Sequence, residues 1–353
     1  MEEKERLQKA AQKLIEWYGA SRRVLPWRAS PTPYHVWVSE IMLQQTRIEA
    51  VIPYYERFLA AFPDVRALAE ADENRVLKLW EGLGYYSRAR NLQKAARTIL
   101  AEYGGELPRR ADELKTLPGI GDYSAGAIAS IAYGEPEPAV DGNVLRVLSR
   151  LLALDEDIME QKTRRRVTGQ LRAVYPTGEA AALLTEGIME LGETVCIPNG
   201  EAKCGLCPLR ALCLAHKADQ VDRYPVKAAP KARRKEERTV FLLRCGDRWA
   251  IRKRPGKGLL AGLWEFPNEV GALSAEDAYA CLPGTRSCAP FCEALHIFTH
   301  VEWHMRGYVI DCAEALPDYV WASARELREQ YSIPTAFRFY RAAAETLSEE
   351  GKE

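Results

Sequence analysis

A chain of 353 residues is long enough for two domains of ordinary size. Hydrophobic residues at 47% and charged residues at 28% are the proportions of a folded protein, which excludes disorder over most of the length. Lys plus Arg and Asp plus Glu are 49 each, so net charge points to neither an acidic nor a basic partner, and any nucleic-acid surface has to be a local patch. The N-terminus, Met1-Glu2-Glu3-Lys4-Glu5-Arg6, has no apolar run behind it and does not fit a secretory signal. No apolar stretch is long enough to span a bilayer, and a cytoplasmic protein without membrane association is expected.

From Glu2 to about Ala218 apolar residues recur at helical spacing, which predicts a helical domain over residues 1–221. Val36-Trp37-Val38-Ser39-Glu40-Ile41-Met42-Leu43 is one such helix, entered through Pro31-Thr32-Pro33. Leu117-Pro118-Gly119-Ile120-Gly121-Asp122-Tyr123-Ser124-Ala125-Gly126 lies between two helix-forming stretches. Its glycines can turn backbone amides outward, and the helix that follows presents its positive end to a phosphate. Ala139-Val140-Asp141-Gly142-Asn143-Val144 then puts a carboxylate at a helix start. Residues 222–238, DRYPVKAAPKARRKEER, read as a basic linker. Residues 239–244 and 249–251 read as paired strands across Gly246-Asp247, opening a smaller mixed domain over 239–353 that ends in a helix near Pro334 to Leu347.

Four of the nine cysteines, Cys196, Cys204, Cys207 and Cys213, crowd into one segment with the spacing Cys-x7-Cys-x2-Cys-x5-Cys. Four thiolates at one locus suit tetrahedral zinc or a [4Fe-4S] cluster. A single Cys-x2-Cys knuckle with helix-like flanks, Leu183 to Val195 before and Leu209 to Ala215 after, favours the cluster, in a structural role. Cys245, Cys281, Cys288, Cys292 and Cys312 have no ligand-like spacing and read as small buried hydrophobes.

The glycine-rich hairpin, the Asp141 motif and the cysteine loop, in that order, resemble the helix-hairpin-helix DNA glycosylases of the endonuclease III superfamily. Within it the chain is similar to the MutY adenine glycosylases, which remove adenine mispaired with 8-oxoguanine. Leu25-Pro26-Trp27-Arg28, Ser39 to Thr46 and Gly82 to Leu92 carry that likeness in the first domain. Gly258 to Pro267 and Phe298-Thr299-His300 carry it in the second. The first cysteine gap is seven residues where the family usually has six, and Pro198-Asn199-Gly200 favours a turn that loops the extra residue outward. The fold expected is a mostly α glycosylase domain with an iron–sulfur loop, followed by an α+β Nudix-like domain.

Cleaving an adenine N-glycosidic bond takes an acid for the base and negative charge for the sugar cation, a task for two carboxylates in unlike environments. Glu40 sits among Val36, Ile41 and Leu43, where desolvation raises its pKa, and the resemblance gives it protonation of adenine N7. Asp141 is the candidate stabiliser of the oxocarbenium-like sugar, by charge or by transient covalent capture, with Asn143 beside it. Its plain alternative is capping the next helix. Lyase members of the superfamily have a lysine where this chain has Tyr123, so the enzyme expected is monofunctional, with Tyr123 hydrogen-bonded to a carboxylate such as Asp141. A pyrimidine-lesion lyase and a mismatch sensor without catalysis are the competing readings.

The resemblance places Gln45, Leu83 and Tyr85 as wedges in the duplex, and Trp27, Arg28 and Glu186 near the flipped adenine. Gly119 and Gly121 are assigned to the DNA backbone, and Arg22, Arg23, Arg88, Arg90 and Arg164-Arg165-Arg166 are phosphate candidates. Phe298, Thr299 and His300 match the loop that reads 8-oxoguanine, with Thr where Ser is usual. Arg325-Glu326-Leu327-Arg328-Glu329 is the one fragment like a Nudix box. With Pro317 and Asp311 where Glu and Gly are required, nucleotide hydrolysis is not expected. The partner expected is double-stranded DNA, bound by a monomer that associates with the nucleoid.

Overall fold

The computed structural model describes residues 1–228, 232–282 and 285–350. Two compact units emerge: Met1–Glu70 with Asn91–Ala229, and Ala71–Arg90 with Pro230–Glu353.

Helices α1 (Glu3–Ser21), α2 (Pro26–Ala29), α3 (Pro33–Leu43), α4 (Ile48–Ala61) and α5 (Val65–Glu70) open the chain, followed by α6 (Glu73–Leu79) and α7 (Ser87–Glu102). Next come α8 (Ala111–Leu114), α9 (Asp122–Ala127), α10 (Gly142–Leu152), α11 (Gln161–Arg172), α12 (Glu179–Thr194) and α13 (Leu214–Lys217). Helix α3 starts where the sequence says it should. Thr32 caps it by accepting from the His35 amide, Pro33 occupies its first turn, and Tyr34 and every residue from Val36 to Met42 are buried. A helix buried around most of its circumference places Glu40 in apolar surroundings. Leu7, Leu14, Val144, Leu148, Leu151, Leu184, Ile188 and Leu191 form the core of the first unit, built by α1, α10 and α12. Helix α9 runs on into a π-helical turn, Ile128–Ala132, which periodicity alone did not foretell. The stretch Leu209 to Ala215 is only partly helical: 208–212 are turns and helix starts at Leu214.

The second unit is a seven-stranded sheet in the order β3-β2-β1-β6-β5, with β4 on β1 and β7 on β2. The strands are β1 (Arg234–Cys245), β2 (Arg248–Lys253), β3 (Trp264–Glu265), β4 (Asn268–Val270), β5 (Thr285–Ile297), β6 (Val301–Cys312) and β7 (Val320–Ser323). Strands β1 and β6 are parallel, with Val240 opposite Gly307, and β5 and β6 form an antiparallel hairpin. Alternate residues of β1 face opposite ways. Val240 and Leu242 join Trp249, Trp303 and Met305 against α15 (Ala324–Glu329) and α16 (Arg338–Glu350), whereas Phe241 and Leu243 join Tyr308 and Ile310 against α14 (Ala275–Ala280). Strand β1 begins inside the segment read as linker, because pairing with β6 from Arg234↔Val301 onward gives this charged stretch a ladder that composition does not reveal. The Arg325–Glu329 fragment is α15, closed by a Ser323–Glu326 capping box.

Within this unit Ala71–Arg90 is held by side chains of both its parts. Lys78 Nζ donates to Tyr331 O at 3.0 Å, Arg341 Nη1 to Glu81 Oε1 at 2.6 Å, and Arg90 Nη1 to Ala261 O at 2.5 Å. Among the described residues no helix is long and apolar enough to cross a membrane.

Candidate active site

A cavity of about 160 Å³ opens in the first unit. Helix α3 supplies Val36, Ser39, Glu40 and Leu43, and α2 supplies Trp27 and Arg28. Tyr123 comes from α9 and Ile131 from the π turn, Asp141 and Asn143 from the start of α10, and Glu186, Met189, Glu190 and Glu193 from α12.

Glu40 is 5% exposed. Burial pushes its carboxyl up to about 7, assisted by the negative charges of Glu186 and Asp141 and opposed by a hydrogen bond from Tyr123. That bond corrects one expectation. Tyr123 Oη donates to Glu40 Oε2 at 2.7 Å, so its partner is the acid on α3 and not Asp141. The reason is placement, since Tyr123 is in the first turn of α9 and projects into the cavity that α3 lines.

Asp141 caps α10, its Oδ1 accepting from the Val144 amide at 2.7 Å and its Oδ2 from Asn143 Nδ2 at 3.0 Å. Burial raises its pKa, and the hydrogen bonds from Val144 and Asn143 oppose the rise. Capping and cavity lining therefore coincide in one residue. Asn143 Oδ1 accepts from Arg146 Nη2 at 2.9 Å, while Arg146 Nε donates to Cys196 O at 2.8 Å. A continuous run of hydrogen bonds thus joins Asp141 to the cysteine loop.

Trp27 is buried, edge-on to Tyr55. Arg28 stands over the Tyr18 ring, with Glu186 Oε1 3.4 Å and Glu190 Oε2 3.0 Å from its guanidinium. Burial raises the pKa of Glu186. Sequence reasoning missed Glu190, Glu193 and the engagement of Arg23, which bridges both. The signal was present: 186, 190 and 193 are spaced i, i+4, i+7 and fall on one face of α12.

At the hairpin, Gly119 has φ +79, and a Cβ there would lie 2.6 Å from Asn91 Cβ, so only glycine fits. Gly121 is the N-cap of α9. Gln45 is exposed with φ 59, a left-handed conformation that costs a non-glycine residue about 1 kcal/mol or more. Tyr85, in the second unit, has the same property: φ 46 and 49% exposure. Its hydroxyl meets Thr299 Oγ1 at 2.8 Å. Leu83 is buried, its carbonyl accepting from Arg88 Nη2. Phe298-Thr299-His300 is the turn of the β5–β6 hairpin, with Thr299 and His300 exposed. Of the phosphate candidates, Arg22 and Arg165 are exposed. Arg23, Arg88, Arg90, Arg164 and Arg166 are engaged with protein groups.

The four loop cysteines line a second cavity of about 30 Å³ together with Arg150 and Arg210. Arg150 Nη1 donates to Cys196 Sγ at 3.3 Å. Burial, with the neighbouring thiols adding to it, raises Cys204 and Cys213 and pushes Cys207 up to about 12, so ionising this set calls for a bound positive group. Among the described residues no three His, Cys, Asp or Glu are set for a single metal ion. Tetrahedral zinc would draw the sulfurs to within about 4 Å of one another. Four thiols around one shared cavity are a donor set that suits either a metal ion or an iron–sulfur cluster.

The adenine DNA glycosylase of Mus musculus is 34% identical over 366 residues, covering 86% of this chain and 70% of that protein. The chain belongs to the adenine DNA glycosylases. The Schizosaccharomyces pombe member of the family is 31% identical, covering 94% of this chain and 88% of its own. Residues 38–172 of this glycosylase match the HhH-GPD superfamily of base excision DNA repair proteins, and residues 239–343 match the NUDIX domain. A thermostable thymine-DNA glycosylase structure (23% identity, TM-score 0.55) covers 61% of this chain and 98% of its own. A non-covalent endonuclease III–DNA complex (24%, 0.51) covers 62% and 99%. These two show that the glycosylase shares their fold.

Proposed function

We propose that this chain removes adenine paired with 8-oxoguanine or guanine in double-stranded DNA, hydrolytically, and leaves an abasic site. The observation that carries the reading is a buried carboxyl, Glu40, hydrogen-bonded by Tyr123 and sharing one cavity with a second carboxylate, Asp141. With adenine flipped into the cavity, Glu40 gives its proton to N7. The N-glycosidic bond then breaks, with its electron pair leaving on the base. Tyr123 occupies Glu40 Oε2, which leaves Oε1 to carry the proton toward the base. The negative charge of Asp141 stabilises the sugar cation, and water attacks C1′ and releases a proton. Arg28 and Glu186, paired on the cavity wall, orient the purine, with Trp27 beside them. Tyr123, on the cavity wall, offers no amine for a Schiff-base step.

Cys196, Cys204, Cys207 and Cys213 would hold a [4Fe-4S] cluster that cross-links the loop before α13, a structural role. Gln45 and Tyr85 serve as wedges, their strained backbones pre-set for insertion. The turn Phe298-Thr299-His300 reads the base opposite adenine. The protein acts as a monomer.

Single-turnover reaction on a duplex with adenine opposite 8-oxoguanine tests the proposal. Strand breaks are expected only after alkali, with no borohydride-trapped adduct. Breaks without alkali, or efficient trapping, would assign lyase chemistry instead. Purified protein should be brown and contain iron, and a colourless protein with one zinc would replace the cluster by zinc.

A further inference from the structure

We propose that Trp303 is a positioning residue that fixes the Phe298–His300 turn and so sets discrimination of the base opposite adenine. This rests on the reading that the turn meets that base. Thr299 and His300 are exposed, and the turn is tied by the backbone bonds Phe298 N to Val301 O at 2.8 Å and Arg234 N to His300 O at 3.1 Å and by the Tyr85 hydroxyl at Thr299 Oγ1. The half-buried Phe298 ring is the apolar seat of the turn. It stands edge-on to Trp303 at 4.9 Å and to His296 at 4.5 Å.

Trp303 is 1% exposed, and its surroundings are not those of an ordinary core tryptophan. The guanidiniums of Arg238 and Arg254 stand 4.2 Å and 5.6 Å from its ring centroid. Two cations near one ring repel unless held by anions, and the holding group is complete. Glu265, 2% exposed, takes Arg254 and, at 3.0 Å, Arg252 Nε. Asn268 Nδ2 donates to Glu265 Oε2 at 2.8 Å, and Asn268 Oδ1 accepts from Arg238 Nη1 at 2.6 Å. Glu236 takes Arg238 from the other side at 2.7 Å. A buried carboxylate with two arginines is costly in desolvation, and well-packed apolar residues would stabilise the fold as well. What it supplies is rigidity: the Arg238 and Arg254 guanidiniums are fixed at their heads and lie over the indole, the indole fixes Phe298, and Phe298 fixes the turn. A polar turn that must offer hydrogen bonds to one base and not another needs that rigidity, because its selectivity vanishes once its groups can swing.

The test compares single-turnover excision of adenine opposite 8-oxoguanine and opposite guanine by the full-length, cluster-containing protein. Trp303→Leu keeps an apolar filling but no ring to seat Phe298. It should lower the preference for 8-oxoguanine about tenfold, the size of one specific base contact, with excision opposite guanine unchanged. Trp303→Phe should restore most of the preference. Arg238→Met, which keeps packing over the indole and removes the charge, should lower it in the same direction, and it carries the test if Trp303→Leu does not fold. Phe298→Ala is the control for the underlying reading. If Phe298→Ala loses the preference while Trp303→Leu and Arg238→Met keep it, the positioning role is wrong and the reading turn stands. If Phe298→Ala keeps it, the reading turn itself is wrong. Equal loss on both substrates in Trp303→Leu would make the residue merely structural and overturn the proposal.

Discussion

A group proposed to donate a proton to adenine near neutral pH must still hold that proton there, and burial suits Glu40 to the role by lifting its carboxyl to about 7. Excision should therefore fall on the alkaline side of about pH 7 in a pH–rate profile of single-turnover chemistry. Glu40→Gln keeps the shape and the acceptor for Tyr123 but has no proton to give, and should slow excision by about 10³-fold while mismatch binding persists. The same burial has a cost in stability whose sign is definite. Below pH 4.5 the acid is protonated folded or unfolded and costs nothing. Between 4.5 and about 7 the unfolded chain releases the proton that the folded chain keeps, so stability falls as pH rises, reaching a constant deficit of about 3 kcal/mol above 7. Glu40→Gln should accordingly melt higher than the parent at pH 8 and alike at pH 4. Tyr123→Phe tests the hydrogen bond between them. Tyr123 lowers the pKa of Glu40, so its loss should move the alkaline limb to higher pH. An unmoved limb would detach Tyr123 from the acid. The sequence showed Glu40 as an acid in apolar company, but which carboxylate the Tyr123 hydroxyl chooses depends on how α9 approaches α3, and no spacing within either segment encodes that.

Between elements, the placement of Asp141 depends on a close approach. A Cβ on Gly126 would lie 2.5 Å from Pro138 O and 3.1 Å from Ala139 N, the backbone that leads directly into Asp141. Gly126→Ala should push this segment away from the helix carrying Tyr123 and Ile131, destabilise the protein by about 1–3 kcal/mol and reduce excision. Gly169, exposed within α11 with no atom within 4 Å of a built Cβ, is the contrast. Gly169→Ala should raise stability by about 0.5–1 kcal/mol and leave excision alone, as thermal melts and single-turnover rates together would show. Helix α3 and the Asp141 cap were legible because prolines and capping residues act within a few positions of themselves. The π turn after α9 was not. Its buried Ser130 hydroxyl, which donates to Gly126 O and accepts from Thr185 on α12, is a tertiary arrangement. Strand β1 was read too short for the same reason, since the charged residues Arg234 to Arg238 become strand only when β6 lies alongside.

At the scale of the whole molecule, the division of the chain is not a single cut, because Ala71–Arg90 belongs with the C-terminal residues. Local pattern gives α6 its helix but says nothing of this allegiance, which rests on residues some 250 positions away. Glu81 is the centre of it. Its side chain is 15% exposed, and Oε1 accepts from Arg341 Nη1 and from the Ile333 amide while Oε2 takes Lys78. Removing Arg341 and Ile333 takes away two donors of Glu81 together with part of its cover, so the segment loses its ties and gains only water in their place. Tyr85 loses Thr299 by the same cut. A chain ending at residue 228 should therefore retain Glu40, Tyr123 and Asp141 in their cavity, yet be cut by trypsin at Arg75, Lys78, Arg88 and Arg90 faster than the full chain is. Excision opposite 8-oxoguanine should fall further than the loss of the proposed reading turn alone predicts, because Tyr85, the proposed wedge, is loosened with it. The full-length Phe298→Ala variant supplies that comparison, since it alters the turn and spares Glu81. Unchanged protection of Arg75 to Arg90 in the shortened chain would show that the helical part holds this segment without help, and the extra loss should then be absent.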